Sequence, residues 1–111
     1  MFSIHGNDLY TSAGESIVMS ITPQSDGGEP YIMETNDRLR LRVYSHGRPH
    51  RDVFAAETAP GSTIITIPPE KTTQLRGLYD YEVKLVYADG SETVIIGQTA
   101  NFTPHFIVLE G

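Results

Sequence analysis

The run Arg38-Leu39-Arg40-Leu41-Arg42-Val43 constrains the fold of this chain more than any other stretch. Basic and aliphatic side chains alternate strictly, a period that an extended strand converts into one wet face and one dry face. A helix would scatter the same residues around its axis and leave no continuous apolar side. The segment is therefore read as a strand with Leu39, Leu41 and Val43 inward and Arg38, Arg40 and Arg42 outward. The same period returns at 78–88, where Tyr79, Tyr81, Val83, Leu85 and Tyr87 lie on one side and Asp80, Glu82 and Lys84 on the other. It returns again at 15–22, with Ile17, Met19 and Ile21 on one face, while no window keeps an apolar stripe at helical spacing for three turns.

Turn chemistry separates these runs. Residues 3–10 read as a short first strand interrupted by Gly6-Asn7-Asp8, and 23–30, containing Asp26-Gly27-Gly28, as a loop. Tyr31-Ile32-Met33 is a brief extended segment before an Asn36-Asp37 turn. Residues 45–51, with Gly47 and Pro49, read as a polar loop, 52–57 as a short edge strand, and 62–67 as a β-branched strand stopped by Pro68-Pro69. Pro69 suits the first position of one helical turn, Glu70 complements its positive end, and Gly77 ends it. Asp89-Gly90 is a hairpin signal leading to 92–97, and 100–109 supplies a last strand carrying Phe102, Phe106 and Val108. Many short strands with turn signals every ~8–12 residues point to a sandwich.

Leu75-Arg76-Gly77-Leu78-Tyr79-Asp80-Tyr81 matches the corner before the sixth strand of immunoglobulin-like sandwiches. There a tyrosine buries its ring and bonds its hydroxyl to backbone a few residues upstream. Tyr79 is the candidate corner and Tyr81 takes the place of the second cysteine; the other reading makes both ordinary inward residues of a strand. The expected fold is all-β, an immunoglobulin-like antiparallel β-sandwich of about seven strands forming one domain over residues 1–111, with one short helical turn before the sixth strand.

Several segments, taken in order, add a family resemblance. They are Gly6-Asn7-Asp8, Asn36-Asp37 with the alternating strand to Val43, Ile67-Pro68-Pro69-Glu70-Lys71-Thr72, Leu75 to Tyr81, Ala88-Asp89-Gly90-Ser91-Glu92-Thr93-Val94-Ile95-Ile96-Gly97, and Asn101-Phe102-Thr103-Pro104. In this order the chain resembles the immunoglobulin-like domain at the N-terminus of the baseplate upper proteins of phages infecting Gram-positive bacteria, and its stand-alone relatives in prophages. The resemblance implies a non-enzymatic virion structural protein of a tail, baseplate or head, made in the bacterial host cytoplasm and located in the virion. Its partners would be other virion proteins and further copies of itself as a homo-oligomer. Only the fold and the attachment role are carried over, because the sequence stops at Gly111 where those proteins continue into a stalk. A fibronectin type III-like carbohydrate- or cell-surface-binding module also fits the corner and hairpin. With Trp absent and most Tyr residues on inward faces, the sequence leans to the virion reading.

Five of the eight basic residues, Arg38, Arg40, Arg42, Arg48 and Arg51, fall in one segment. They are a docking patch for an acidic partner or a sugar, or a solvated face on which Asp80 and Glu82 pair with arginines from the neighbouring strand. The apolar tail Phe106-Ile107-Val108-Leu109 reads as an outer strand that wants cover, together with 3–10 and 52–57. His46 and His50 cannot share a helix face across Gly47 and Pro49, and with His5 and His105 near the ends they read as exposed histidines without a metal. No cofactor is expected. There is no Gly-x-Ser-x-Gly elbow, P-loop or dinucleotide fingerprint, and Asp80 and Glu82 read as a wet pair unsuited to acid–base work.

Charge and composition set the remaining bounds. A formal charge of −6 argues against nucleic acid, whose phosphates are met by Lys and Arg. No cysteine is present, which excludes thiolate chemistry and Cys-ligated metals. The opening Met1-Phe2-Ser3-Ile4-His5-Gly6 lacks the basic residue and apolar run of a signal peptide, and no stretch approaches the ~20 apolar residues of a membrane span.

Overall fold

Nine strands and one 3₁₀ turn follow one another in the computed structural model, which describes residues 2–5, 7–23, 29–96 and 104–109. The strands are β1 (Ser3–His5), β2 (Asp8–Ser12), β3 (Ile17–Ser20), β4 (Arg38–Ser45), β5 (Arg48–Glu57), β6 (Ile64–Ile67), β7 (Gly77–Val86), β8 (Glu92–Ile96) and β9 (His105–Leu109). The 3₁₀ turn, Pro69–Lys71, lies between β6 and β7, with Pro at its start as the sequence suggests. A large sheet has the order β1-β2-β9-β7-β4-β5, and β3 and β6 form a second, two-stranded sheet. Since β4 occupies one side of β7, β8 and β9 share the other: β9 pairs with Gly77 to Asp80, and β8 with Val83 to Val86. The two sheets make an all-β sandwich, as the alternation in the sequence leads one to expect.

The alternation in β4 gives the core its layout. Leu39, Leu41 and Val43 lie opposite Leu85, Val83 and Tyr81 of β7, and all six are buried. Phe106 and Val108 of β9 and Leu9 of β2 extend the same inner face. Ile17 and Met19 of β3, with Ile65 and Ile67 of β6, complete the core. Burying each such aliphatic side chain contributes about 1.5–3 kcal/mol. Phe54 reaches in from β5 to meet Phe106 edge-on, with ring centroids 5.8 Å apart.

Several segments differ from the sequence reading, each for a physical reason. Residues 3–10 are two strands, since β1 folds back on β2 with Ser3 opposite Tyr10. The loop expected at 45–51 shrinks to a tight turn at His46-Gly47, where Gly47 adopts φ +73°, and Arg48 to Arg51 belong to β5. Pro49 is tolerated there because β5 ends the sheet and its missing N–H breaks no ladder on the open side. The pairing is antiparallel throughout the described residues except between β2 and β9, which run parallel with Leu9 opposite Phe106. The tail Phe106-Ile107-Val108-Leu109 is consequently no outer strand: β9 is bonded to β2 on one side and to β7 on the other, and Phe106 and Val108 are buried. Met1, Gly6, Asp26-Gly27-Gly28 and residues 97–103, including Phe102, lie outside the described residues, as do Glu110 and Gly111.

The corner tyrosines serve different ends. Tyr79 is half-buried, and its hydroxyl accepts the Arg76 backbone N–H at 3.2 Å. Tyr81 is 2% exposed, and its hydroxyl donates to the Asn7 carbonyl, tying β7 to the β1–β2 turn. Burial pushes the Tyr81 phenol up to about 12, helped by the nearby Asp8 charge. Tyr81→Phe is expected to cost about 1 kcal/mol, and Tyr79→Phe, whose bond lies in an exposed setting, about half that or less. Urea unfolding of the two variants beside the parent checks the order; a larger loss in Tyr79→Phe contradicts it.

Candidate functional site

Charged side chains crowd the outward face of the large sheet. Register sets Arg38, Arg40, Arg42 and Tyr44 of β4 opposite Val86, Lys84, Glu82 and Asp80 of β7. Arg40 reaches Glu92 of β8 at 2.5 Å, and Lys84 lies 3.4 Å from the same carboxylate. Arg42 bridges Glu82 and Asp52, donates to the Pro49 carbonyl, and stacks 4.5 Å from the centroid of the Tyr44 ring. Arg38 stands 3.8 Å from Glu57. Three arginines of the stripe therefore each face an acid, while Arg48 and Arg51 are exposed on β5. Of the two acids the sequence offered as their partners, Glu82 pairs with Arg42 and Asp80 does not.

Asp80 belongs to a different cluster. It is 3% exposed, which corrects its reading as a wet residue. Antiparallel register places His105, the first residue of β9, directly opposite it, and the tight turn after β4 brings His46 over the same carboxylate. Oδ1 lies 2.9 Å from His46 Nδ1 and 3.0 Å from His105 Nδ1, while Oδ2 accepts the Gly47 N–H at 2.9 Å. The imidazoles meet edge to face, with centroids 5.5 Å apart. His105 is further fixed by its backbone N–H, which donates to Asp8 at 3.1 Å. Burial pushes the Asp80 carboxyl up, but the Gly47 N–H and the two imidazoles stabilise the anion and hold it below its usual range. Both histidines, read from the sequence as solvated, thus partner one buried anion.

Sequence spacing did not reveal this cluster, because its members are separated by 34 and 25 residues. The only signal was indirect. Once β7 and β9 are paired in register, His105 must face Asp80, and the register follows from the inward placement of Phe106 opposite Tyr79.

Two apolar features accompany the charges. On the outer face, Tyr10, Ile107 and Leu78 form one row across β2, β9 and β7, with Leu109 beside it; Leu78 is 44% and Leu109 52% exposed. Between the layers, a groove of about 620 Å³ is lined by Ile21, Pro23, Tyr31, Leu85, Tyr87 and Ile95 among others. Tyr31 and Tyr87 stand edge to face in it at 6.5 Å. No protein-family model matches the chain, and neither a curated protein nor a solved structure gives a significant match. The resemblance drawn above rests on the motifs themselves.

Asp80→Asn keeps the shape but loses the anion that three donors address, and is expected to cost about 1–3 kcal/mol. In the parent, the folded form holds the Asp80 proton less readily than the unfolded chain. Its contribution is therefore complete above the ordinary carboxylate range, near pH ~4, and is lost as pH falls through the lowered folded value. Urea midpoints measured from neutral to acid pH should fall less steeply in Asp80→Asn than in the parent; parallel curves contradict the assignment. In the arginine row, Arg42→Ala is expected to cost about 1 kcal/mol and Arg40→Ala a few tenths, since only Arg42 combines two acids with an aromatic face. Equal losses in the two variants contradict that ranking.

Proposed function

We propose that the protein is a non-enzymatic structural module of a bacteriophage or prophage particle that works through protein–protein contacts. The observation that carries the binding role is the row Tyr10–Ile107–Leu78 with Leu109, an apolar strip on the outside of central strands whose neighbouring surface is ion-paired. Contiguous apolar side chains rimmed by polar residues, unlike scattered single ones, are a feature of interaction surfaces. A specific interface needs roughly 1,000 Å² or more in total, so the strip would form its centre and the surrounding polar residues its rim. The virion setting is supported by the ordered motifs that resemble baseplate upper proteins. The partners are other virion proteins and further copies of this chain, and the net charge of −6 disfavours nucleic acid.

The strip also relocates the contact expected of the terminal segment. Ile107 and Leu109 would meet a partner through side chains on the sheet face, and backbone pairing at a free edge is not required. The carbohydrate-binding alternative asks for an exposed aromatic platform, and the described tyrosines are buried or half-buried.

Sedimentation velocity over a concentration series, with the parent and the double variant Leu78→Lys/Leu109→Lys, tests the surface. The parent is expected to self-associate. The variant is expected to sediment as a smaller species while its unfolding midpoint stays within about 0.5 kcal/mol of the parent, because both side chains already face water. Mass spectrometry of particles purified after prophage induction tests the setting. A parent protein that is monomeric at every concentration and missing from the particles contradicts the proposal.

A further inference from the structure

We propose that His46, Asp80 and His105 form a binding site for a divalent transition-metal ion of the zinc, cobalt or nickel kind. Two imidazole nitrogens and one carboxylate oxygen are the donor set these ions favour, and hard ions such as magnesium or calcium would ask for oxygen throughout. The cluster combines the donor chemistry with near-correct spacing. An ion about 2.1 Å from each donor holds neighbouring donors about 3.0 Å apart at right angles, or about 3.4 Å apart in a tetrahedron. The Asp80 Oδ1 to Nδ1 distances of 2.9 and 3.0 Å already have the shorter of these values. All three ligand atoms fall within 4.8 Å of one another, so rotation of the more exposed ring, His46, closes the third side.

The supporting structure is of the kind that orients a ligand set. Asp80 and His105 sit opposite each other on adjacent strands, so their backbones are fixed by the ladder. The Gly47 N–H holds Oδ2, which leaves Oδ1 turned towards the imidazoles. Without metal, each Nδ1 faces the carboxylate as a hydrogen-bond donor. On binding, a neutral imidazole shifts its proton from Nδ1 to Nε2 and gives the Nδ1 lone pair to the ion, with no net change in protons. The His46 side chain is 56% exposed and that of His105 28%, so the ion can enter from the outer face. Three protein ligands leave at least one position for water. The ion would pin the β4–β5 turn, β7 and β9 together, and would stabilise the fold by mass action in proportion to the logarithm of its concentration.

Untagged full-length protein, stripped with a chelator and dialysed, is titrated with cobalt(II) while the visible spectrum is recorded, and with zinc(II) by calorimetry and thermal unfolding. One equivalent of either ion is expected to bind, with cobalt d–d bands characteristic of nitrogen and oxygen ligands and a zinc-dependent rise in the unfolding midpoint. His46→Ala and His105→Ala should each weaken zinc binding at least tenfold and abolish the cobalt bands. His50→Ala, which removes an exposed histidine of β5 outside the cluster, should leave both unchanged. If His105→Ala fails to fold, His46→Ala in the exposed turn decides alone. Lack of saturable one-to-one binding in the parent overturns the proposal and leaves the cluster as a hydrogen-bonded clamp. Binding that survives His46→Ala, or that is lost in His50→Ala, overturns it equally.

Discussion

The register between β4 and β7, from Arg38 opposite Val86 to Ser45 opposite Tyr79, is the constraint on which the rest of the molecule depends. Because side chains alternate across a strand, this one alignment sends Leu39, Leu41, Val43, Tyr81, Val83 and Leu85 into the core. It sends the arginines, Glu82, Lys84 and Asp80 outward at the same time. A slip of one residue would bury a row of arginines, and the cost of desolvating them far exceeds any alternative pairing. The aliphatic side of the alternation thus fixes the polar side. The ion-paired lattice and the Asp80 cluster are consequences of core packing, carried to the opposite face by the pleat.

The same logic marks what could be read from the chain and what could not. Strands whose two faces differ in chemistry, such as 38–43 and 78–87, declare both their conformation and their orientation. Asp80 shows the limit: alternation tells which face it occupies and nothing about what covers it. Its cover comes from His46 in a turn and His105 at the start of β9, and neither lies within the local window of β7. The β5 hairpin was obscured by Arg48-Pro49-His50-Arg51, whose polar residues and proline describe an edge strand and a loop equally well. The segment from Phe106 to Leu109 posed the opposite difficulty. Four consecutive apolar residues carry no alternation, so they suit an outer strand wanting cover and an inner strand flanked on both sides, and the parallel partner β2 leaves no trace in local pattern.

Function follows the division of the outer face into two territories. Around β4, β7 and β8, Arg38, Arg40, Arg42 and Lys84 are paired with Glu57, Glu92, Asp52 and Glu82. Across β2, β9 and the start of β7 lies the apolar strip, and at the junction of the two sits Asp80 with its two imidazoles. The apolar side chains on the outside of the central strands are the surface the proposed attachment role would use, and a virion is the proposed setting for it. A metal ion at the junction would stiffen the surface from which the strip projects.

The convergence of His46 and His105 on Asp80 depends on the β4 turn, the β7–β9 register and the burial of the carboxylate all being right together. Nitrogen-15 NMR of the histidine side chains, recorded in the presence of a chelator at neutral pH, tests that convergence most directly. Both rings are predicted to carry their proton on Nδ1, held there by the carboxylate, whereas a solvated imidazole favours Nε2. Two rings with the ordinary Nε2 proton and the shifts of free histidine would contradict the account.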